Sequence, residues 1–241
     1  MFKLYVDPGH GGSDSGASAN GMHEKDIVLD IALRIRDILR NEYESVDVRM
    51  SRTTDRTVTL AERTRDANSW GADYFVSIHV NAHNGTAKGY EDYIHNSLSD
   101  SSQTARYRDI MHEEITKVNN LVNRGKKKAN FHVLRETRMS AVLTENGFID
   151  NADDAAKLKN PDWLETVARG HVNGLARAFN LKRRSNSGGG GSNGGNGNGD
   201  MYRVIVDGTQ EGAYRMRQNV LNAVDRNLDS ASEILIQRIK D

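Results

Sequence analysis

Residues 74–80, Tyr74-Phe-Val-Ser-Ile-His-Val80, form an apolar run that is broken only by a serine and a histidine. A run of this length and composition is typical of a central strand that is buried on both faces of a parallel sheet. Two shorter strand-like runs precede it, at residues 3–6 and 46–50. Between the runs, residues 24–40 and 60–70 repeat apolar side chains at helical spacing. This alternation predicts strands that are joined by helices.

The remainder of the first 184 residues continues the same alternation. Further strands are predicted at residues 88–94, 131–135 and 141–144. A further helix is predicted at about residues 101–120. Another is predicted to begin with Pro161 in its first turn and to end at about residue 180. The pattern predicts an α/β fold with a mostly parallel, twisted sheet that is flanked by helices. In sheets of this kind, ligands bind beyond the carboxyl ends of the strands.

A second region follows residues 185–200, SNSGGGGSNGGNGNGD, which contain no apolar side chain and predict a flexible linker. In residues 201–241, two strand patterns flank a turn at Asp207-Gly208, and a last strand is predicted at residues 233–239. A helical pattern between them has its apolar positions at Val220, Leu221, Val224 and Leu228. We therefore expect a small ββαβ module after the linker.

The composition restricts the classes of partner and site. The chain has 33 lysine and arginine residues in total and 33 aspartate and glutamate residues. Because there is no excess of basic residues, the composition does not predict a nucleic-acid partner. The absence of cysteine means that any zinc site must be built from histidine and carboxylates. No apolar run reaches the length of a membrane span, and the run at residues 2–6 is too short for a signal peptide. We expect synthesis in the cytoplasm without a signal peptide.

Four polar residues fall where the predicted elements begin or end. His10 follows the first strand, His79 ends the third, Glu24 opens the first helix, and Glu145 ends the strand at residues 141–144. If the first and third strands are parallel neighbours, both imidazoles reach one crevice. Two histidines and a carboxylate form a catalytic zinc set, and a second carboxylate beside it suits a general base. On spacing alone, ordinary structural roles for these residues remain equally open.

Five separated motifs resemble those of zinc N-acetylmuramoyl-L-alanine amidases of the type 3 family, in order and in spacing. The motifs are Asp7-Pro-Gly-His-Gly-Gly-Ser-Asp-Ser-Gly-Ala17, His23-Glu-Lys25, Ser51-Arg-Thr-Thr-Asp-Arg56 with Leu60-Ala-Glu-Arg63, Ser77-Ile-His-Val-Asn-Ala82 and Leu143-Thr-Glu-Asn-Gly-Phe-Ile149. The resemblance implies that His10, Glu24 and His79 bind one Zn²⁺ and that Glu145 is the catalytic glutamate. Ser140 and Asn146 depart from the family pattern on either side of Glu145.

Other polar residues near these motifs have weaker claims on the site. Asn81 is a candidate to orient a metal ligand. His23 is a candidate for substrate contact, although a solvated loop role is the alternative, and a metal role for His83 is disfavoured. Arg52 and Arg63 match family positions and are expected to hold loops by hydrogen bonds. The basic run at residues 126–128 could meet wall teichoic acid or phosphate, or form a solvated face.

The resemblance implies a hydrolase of bacterial peptidoglycan that cleaves the amide between N-acetylmuramic acid and L-alanine of the stem peptide. The alternatives are a zinc peptidase acting on another wall amide and a non-catalytic wall-binding protein. A wall enzyme without an export signal further resembles a phage endolysin that causes host lysis after release, with a bacterial autolysin as the alternative.

The module at residues 201–241 resembles part of a SPOR-like peptidoglycan-binding domain. Because a module of about forty residues buries little apolar surface, we expect it to bind the wall and to form homo-oligomers. A shorter product that starts at Met201 is a further expectation.

Overall fold

The computed structural model describes residues 1–184, 201–214, 220, 224, 227 and 231–239. The chain divides into two compact units, Met1–Ser185 and Asn186–Asp241. The predicted linker at residues 185–200 lies outside the described residues, as do Leu221 and Leu228 of the predicted helix. Each unit is therefore described separately.

The first unit is built on a six-stranded sheet in the order β4-β1-β5-β8-β6-β7. Its strands are β1 Phe2–Pro8, β4 Val46–Met50, β5 Tyr74–Asn81, β6 Tyr90–His95, β7 Asn123–Ala129 and β8 Ser140–Phe148, with a small hairpin of β2 Ser18–Ala19 and β3 Met22–His23 beside them. Strands β4, β1, β5 and β8 are parallel, whereas β6 runs antiparallel to β8 and parallel to β7. The predicted α/β fold with a mostly parallel sheet is confirmed.

Helices cover both faces of this sheet. They are α1 Glu24–Glu42, α2 Leu60–Trp70, α3 Gln103–Thr116, α4 His132–Arg135, α5 Ala152–Leu158 and α6 Pro161–Phe179. The larger apolar core lies under α1, α3 and α6, and a smaller core lies under α2 and α4 on the opposite face. A capping box between Thr59 and Glu62 starts α2, and Gly71 in the left-handed conformation ends it. The start of α2 is thereby fixed beside the sheet edge.

One predicted strand is wrong. Residues 131–135 are not a strand, because residues 132–135 form the short helix α4. Val133 and Leu134 are adjacent and both buried in the smaller core, whereas adjacent residues of a strand point to opposite faces. The missing strand is β7, in which lysines replace the apolar alternation. Charged side chains of this kind are common on edge strands, where they discourage pairing with another chain.

The second unit contains a three-stranded antiparallel sheet in the order β10-β9-β11, with β9 Met201–Val206, β10 Thr209–Tyr214 and β11 Ile234–Ile239. Asp207 and Gly208 connect β9 to β10 with φ values of 46° and 79°, as a two-residue type I′ hairpin requires. Val204 and Val220 are buried together, and residues 220, 224 and 227 are helical. The three strands follow the predicted order, and the described residues 220, 224 and 227 fall in the segment that is predicted to be helical.

Among the described residues, no helix combines the length and the apolar character that crossing a membrane demands.

Candidate metal centre and active-site cleft

His10, Glu24 and His79 converge at the carboxyl ends of β1 and β5. Oε2 of Glu24 lies 3.2 Å from Nε2 of His10, and Oε1 lies 2.9 Å from Nδ1 of His79. The two imidazole rings stand edge to face, with centroids 5.0 Å apart. Strands β1 and β5 are parallel neighbours, which is the condition under which the sequence predicted a shared crevice. One carboxylate therefore bridges both histidines.

The loop that carries His10 has an unusual backbone because the centre is crowded. His10 itself has a φ of 56° and Gly16 a φ of 62°, in the left-handed region that non-glycine residues seldom adopt. A Cβ atom at Gly9 would lie 2.3 Å from Cε1 of His79, and one at Gly16 would lie 2.6 Å from Oε2 of Glu24. These two glycines let the backbone approach the three side chains.

Two buried arginines hold this loop in place. Arg52 donates to the carbonyl oxygens of Pro8 and Gly9, at 3.2 and 2.7 Å. Arg63 donates to the carbonyl oxygen of His10 at 2.7 Å and forms a buried ion pair with Asp7 at 2.6 Å. Burial opposes ionisation of Asp7, but Arg63 and neighbouring hydroxyls hold its pKa below the usual range. Both arginines thus support the backbone around His10.

Glu24 is the first residue of α1, with its carboxylate turned back toward the sheet. The backbone amides of Ala17 and Val80 each donate to it at 3.0 Å. Burial raises its pKa, but the hydrogen bonds and charge of His10 and His79 outweigh burial and hold the pKa well below its usual range. The carboxylate is therefore ionised and fixed from four directions.

Glu145 stands beside this group on β8. It pairs with His79 across the β5–β8 ladder and with Glu91 across the β6–β8 ladder, so the three side chains share one face of the sheet. Burial, and then the charges of Glu24 and Glu91, raise the pKa of Glu145 well above its usual range. Its Oε2 atom is buried and makes no hydrogen bond with a described residue. The next residue, Asn146, donates to the carbonyl oxygen of His79 at 3.2 Å.

Glu91 is a residue of this neighbourhood that the sequence did not indicate. Its carboxylate is almost fully buried and accepts hydrogen bonds from Asn81 at 3.0 Å and Tyr93 at 2.6 Å. It also pairs with Arg124 at 2.7 Å and with Lys127. Two basic residues of the edge strand β7 therefore pair with a carboxylate beside Glu145. Only the pairing of β6 with β8 reveals this, and the pairing is not a local sequence signal.

An open cleft of about 530 Å³ contains this centre. Its lining includes His10, His79 and Glu145, together with Asp14, which accepts a hydrogen bond from Nδ1 of His10 at 2.9 Å. Residues 57–60 and residues 131–133 line the same cleft. Sequence analysis missed Asp14 and both of these segments as part of the site. A signal for Asp14 existed, because it lies in the same motif as His10.

The remaining candidates lie outside the cleft lining. Asn81 contacts Glu91 and the amide of Ala82, without a hydrogen bond to either histidine among those described. His23 is exposed and pairs with Ser18 at 2.7 Å. His83 is exposed on the loop after β5. In the basic run, Lys126, Lys127 and Lys128 pair with Asp109, Glu91 and Asp100 respectively.

The donor set can be compared with the requirements of a metal ion. One atom each from His10, Glu24 and His79 lie within 4.8 Å of one another, and these residues form the group with this property in the described part of the chain. Ligand atoms of a tetrahedral Zn²⁺ lie about 3.3 Å apart, so modest inward movement satisfies the geometry. Two imidazoles and a carboxylate, without cysteine, suit zinc and leave a fourth position for water.

The fold and the site define an α/β protein with a centre that suits metal-assisted hydrolysis in an open cleft. The chain belongs to the N-acetylmuramoyl-L-alanine amidase family, whose family model matches residues 4–177. The membership makes the chain a peptidoglycan amidase by family.

Proteins from bacteria and from a phage are similar to this chain in sequence. The chain is 60% identical to the N-acetylmuramoyl-L-alanine amidase CwlM of Bacillus licheniformis over 77% of its own length and 72% of the relative. It is 47% identical to the sporulation-specific N-acetylmuramoyl-L-alanine amidase of Bacillus subtilis strain 168, over 95% and 84%. It is 44% identical to the endolysin of Bacillus phage SPP1, over 88% and 79%.

A solved structure supports the fold. The catalytic domain of CwlV, an N-acetylmuramoyl-L-alanine amidase from Bacillus (Paenibacillus) polymyxa var. colistinus, matches with a TM-score of 0.71 and 33% identity. The match covers 76% of this chain and all of that one.

Proposed function

We propose that residues 1–184 form a zinc-dependent hydrolase that cleaves the amide between N-acetylmuramic acid and the L-alanine of the stem peptide. The observation that carries the proposal is the convergence of His10, Glu24 and His79 next to Glu145, at a cleft that His10, His79 and Glu145 line. The resemblance of the five sequence motifs to those of zinc amidases implies a zinc ion, and the donor set fits zinc. In this proposal His10, Glu24 and His79 hold the ion.

In the proposed hydrolysis, the metal, Glu145 and the two buried arginines have different roles. Bound zinc would supply an acidified water and a positive charge that stabilises the oxyanion of the tetrahedral intermediate. Glu145 lies beside the ligand His79 with a free carboxylate oxygen. The positive charge of bound zinc would favour the ionised form of Glu145, and in that form it is placed to accept a proton from the attacking water. It then returns this proton to the amine of L-alanine as the bond breaks. Arg52 and Arg63 keep His10 in position through the backbone.

The test combines metal analysis with identification of the products. Purified protein should contain one zinc ion, and a wall digest should release peptides that begin with L-alanine while the glycan stays uncut. Cleavage within the peptide would favour a zinc peptidase instead. Binding to the wall without any release would favour a non-catalytic wall-binding protein.

We further propose that the enzyme acts as an endolysin after release from the host cytoplasm. The similarity to a phage endolysin supports this role, whereas the similarity to a sporulation-specific amidase favours a bacterial enzyme of the sporulating cell. Transcript measurements separate the two. A transcript that rises after prophage induction supports the endolysin, and one confined to sporulation contradicts it.

The second unit is proposed to bind the wall and to associate with a second copy of itself. Strand β11 is at an edge of its sheet and carries Leu235 and Ile236, which are 41% and 46% exposed. Ile236 pairs with Val204, which is fully buried, so the apolar face continues past the covered core. Edge strands with exposed apolar side chains favour pairing with another chain.

Light scattering and wall sedimentation test this proposal on the full chain and on residues 1–184. We expect the full chain to be dimeric or larger and to sediment with peptidoglycan, and the truncated chain to be monomeric and to bind weakly. A full chain that stays monomeric at tens of micromolar would contradict self-association. A band that starts at Met201 in expressing cells would reveal the shorter product.

A further inference from the structure

A polar pocket of about 340 Å³ lies next to the cleft and plays no part in the proposed hydrolysis. Its lining includes Arg65, Asn68 and Ser69 of α2, His132 of α4, and Glu136 and Arg138 of the loop before β8. His132 also lines the cleft. The pocket and the cleft therefore share a wall, and a substrate in the cleft would bring its surroundings to the pocket.

The two arginines reach this pocket from different elements. Arg65 and Asn68 are three residues apart on α2 and therefore lie on the same side of the helix. The side-chain amide of Asn68 donates to the carbonyl oxygen of Glu136 at 2.8 Å and accepts from the backbone amide of Arg138 at 2.8 Å. The loop that carries Arg138 is thus held against the side of α2 that carries Arg65, and two positive charges meet at one pocket.

The guanidinium groups of both arginines differ from most others in the first unit. Within residues 1–184, only Arg65, Arg138 and Arg184 have a guanidinium group without a hydrogen bond or ion pair to another described residue. The lysines of the basic run at residues 126–128 are instead paired with acidic side chains. The pocket therefore offers two sets of guanidinium donors to a ligand.

The acidic residues near the pocket do not cancel this charge. Glu136 lines the pocket, and Arg135 pairs with its carboxylate at 2.7 Å. Glu62 is close enough to interact with Arg65, and the capping box holds its carboxylate at the start of α2. Two carboxylates are thus accompanied by three arginines, because Arg138 adds to the other two. The pocket keeps a net positive charge and suits an anion.

We propose that Arg65 and Arg138 form an anion site that binds a phosphate group of an anionic polymer attached to the cell wall. The planar fork of a guanidinium group matches the oxygens of a phosphate, and the hydroxyl of Ser69 adds a neutral donor. Donors on two separate elements suit the tetrahedral oxygens of a phosphate better than the two oxygens of a carboxylate. The choice of a wall polymer rests on the proposed function, because wall substrate in the cleft would bring such polymers to the shared wall.

Binding of two anionic probes tests the inference without turnover. Calorimetry on the full chain at low salt uses a short poly(glycerol phosphate) and, separately, a free stem tripeptide as the carboxylate probe. Arg65→Gln and Arg138→Gln should each weaken binding of the phosphate probe about tenfold, since each removes charge-assisted hydrogen bonds. Arg106→Gln is the matched control and should change nothing. Arg106 is an exposed arginine outside both pockets that contacts Gln103 and the carbonyl oxygen of Ser101.

Two further variants separate charge from geometry. Arg65→Lys keeps the positive charge but loses the fork, so it should retain more affinity than Arg65→Gln and less than the wild-type chain. Glu136→Gln removes a carboxylate from the lining and should strengthen binding of the phosphate probe. The side chains of Arg65, Glu136 and Arg138 are exposed, and all variants should keep the wild-type melting temperature. Peptide release from walls without the polymer should also stay unchanged.

Three results would overturn the phosphate site. They are no binding of the phosphate probe to the wild-type chain, unchanged binding in folded Arg65→Gln and Arg138→Gln, and a selective loss of stem-tripeptide binding in these variants. Failure of the proposed function would look different. The wild-type chain would then release no peptide that begins with L-alanine, even from walls without the polymer, whereas binding of the phosphate probe would still depend on both arginines.

Discussion

Two groups of histidine and carboxylate in the first unit differ in what surrounds them. On one face of the sheet, His10 and His79 share the carboxylate of Glu24 and line an open cleft. On the other face, His112 pairs with the fully buried Asp92 at 2.7 Å under α3. Both groups contain a short contact between an imidazole and a carboxylate, so that contact alone does not indicate a metal site.

The difference lies in whether two imidazoles converge on one carboxylate and in access to the cleft. Nε2 of His112 is held by the side-chain oxygen of Asn123 at 3.0 Å, and Tyr90 donates to Asp92 at 3.1 Å. Both nitrogens of this imidazole are therefore used within the protein. His10 and His79 instead turn one nitrogen each toward the same carboxylate, next to the cleft. Convergence on an accessible point separates a centre of reaction from a buried pair that serves the fold.

The largest expected effect sharpens the comparison at the cleft. Glu145→Gln should reduce wall hydrolysis about a thousandfold, because the amide cannot take the proton from water, while the zinc content and melting temperature stay close to those of the wild-type protein. His79→Ala should lose both zinc and activity. Metal analysis and peptide release measure the two properties separately. Full activity in Glu145→Gln would remove this residue as the base.

The opposite result is expected at the buried pair. His112→Ala should lower the free energy of unfolding by about 3 kcal/mol, because it leaves the Asp92 carboxylate buried without its partner. Zinc content and the activity of the folded fraction should match the wild-type protein. Denaturant unfolding measures the first quantity. Loss of zinc in a folded His112→Ala chain would show that the two groups are coupled, and the comparison would fail.

Sequence reasoning predicted the parts of the site that local patterns determine. The apolar run before His79 and the helical repeat after Glu24 were sufficient to place both residues at element ends, and the structure brings them together with His10. The family resemblance then indicated the same residues. Their catalytic and metal-binding roles stay predictions that the variants above test.

Other parts of the site depend on which strands are neighbours, and sequence did not indicate these. Glu91 is beside Glu145 only because β6 pairs with β8 in antiparallel fashion, and no local pattern records that pairing. The lysines of β7 do not follow the apolar alternation of a strand, so this edge strand was not predicted. A strand was instead predicted at residues 131–135, and the part of the cleft that Phe131 and His132 line was therefore not recognised.

A third kind of histidine gives a prediction about pH. His171 is fully buried in α6 and contacts the Val167 carbonyl oxygen at 2.9 Å and the Thr144 hydroxyl at 3.1 Å, without a carboxylate. Burial lowers its pKa from 6.5 to about 4. Below pH 6.5 the His171 imidazole binds a proton in the unfolded chain, whereas in the folded chain it stays neutral down to about pH 4. The free energy of unfolding therefore falls as the pH falls through this window. The loss should be about 3 kcal/mol.

Denaturant unfolding between pH 7 and pH 4.5 checks this slope against a matched variant. His171→Gln has no group that titrates in this window, so its free energy of unfolding should fall less steeply than that of the wild-type protein. The difference between the two slopes isolates His171 from the carboxylates that also titrate there. Equal slopes would mean that the folded protein accepts the proton at its ordinary pKa.

The smallest effect concerns the residue that orients His10. Asp14 accepts the hydrogen bond from Nδ1 of His10 and a second one from the amide of Gly16 at 3.0 Å, which leaves Nε2 of His10 facing Glu24. Carboxylates in this position orient a metal-binding imidazole and raise its basicity. Burial lowers the pKa of His10, but Glu24 and Asp14 together raise it above the usual value. Asp14 is thus a positioning residue that acts through His10.

Asp14→Ala should weaken zinc binding by about tenfold, at the low end for such partners, because its side chain is 62% exposed and water screens its charge. Asp14→Asn should lose less, since the amide oxygen can still accept the hydrogen bond from Nδ1. Competition with a chromophoric chelator measures both zinc affinities. Asp55→Ala is the control, because it removes an exposed carboxylate that supports the same loop through Gly12 and Lys25. It separates support of the loop from orientation of the His10 ring. If Asp14→Asn and Asp14→Ala lose zinc equally, charge rather than orientation is the contribution of Asp14. The open centre would then depend on the charge of its outer carboxylate, whereas at the buried pair the Asp92 carboxylate depends on His112.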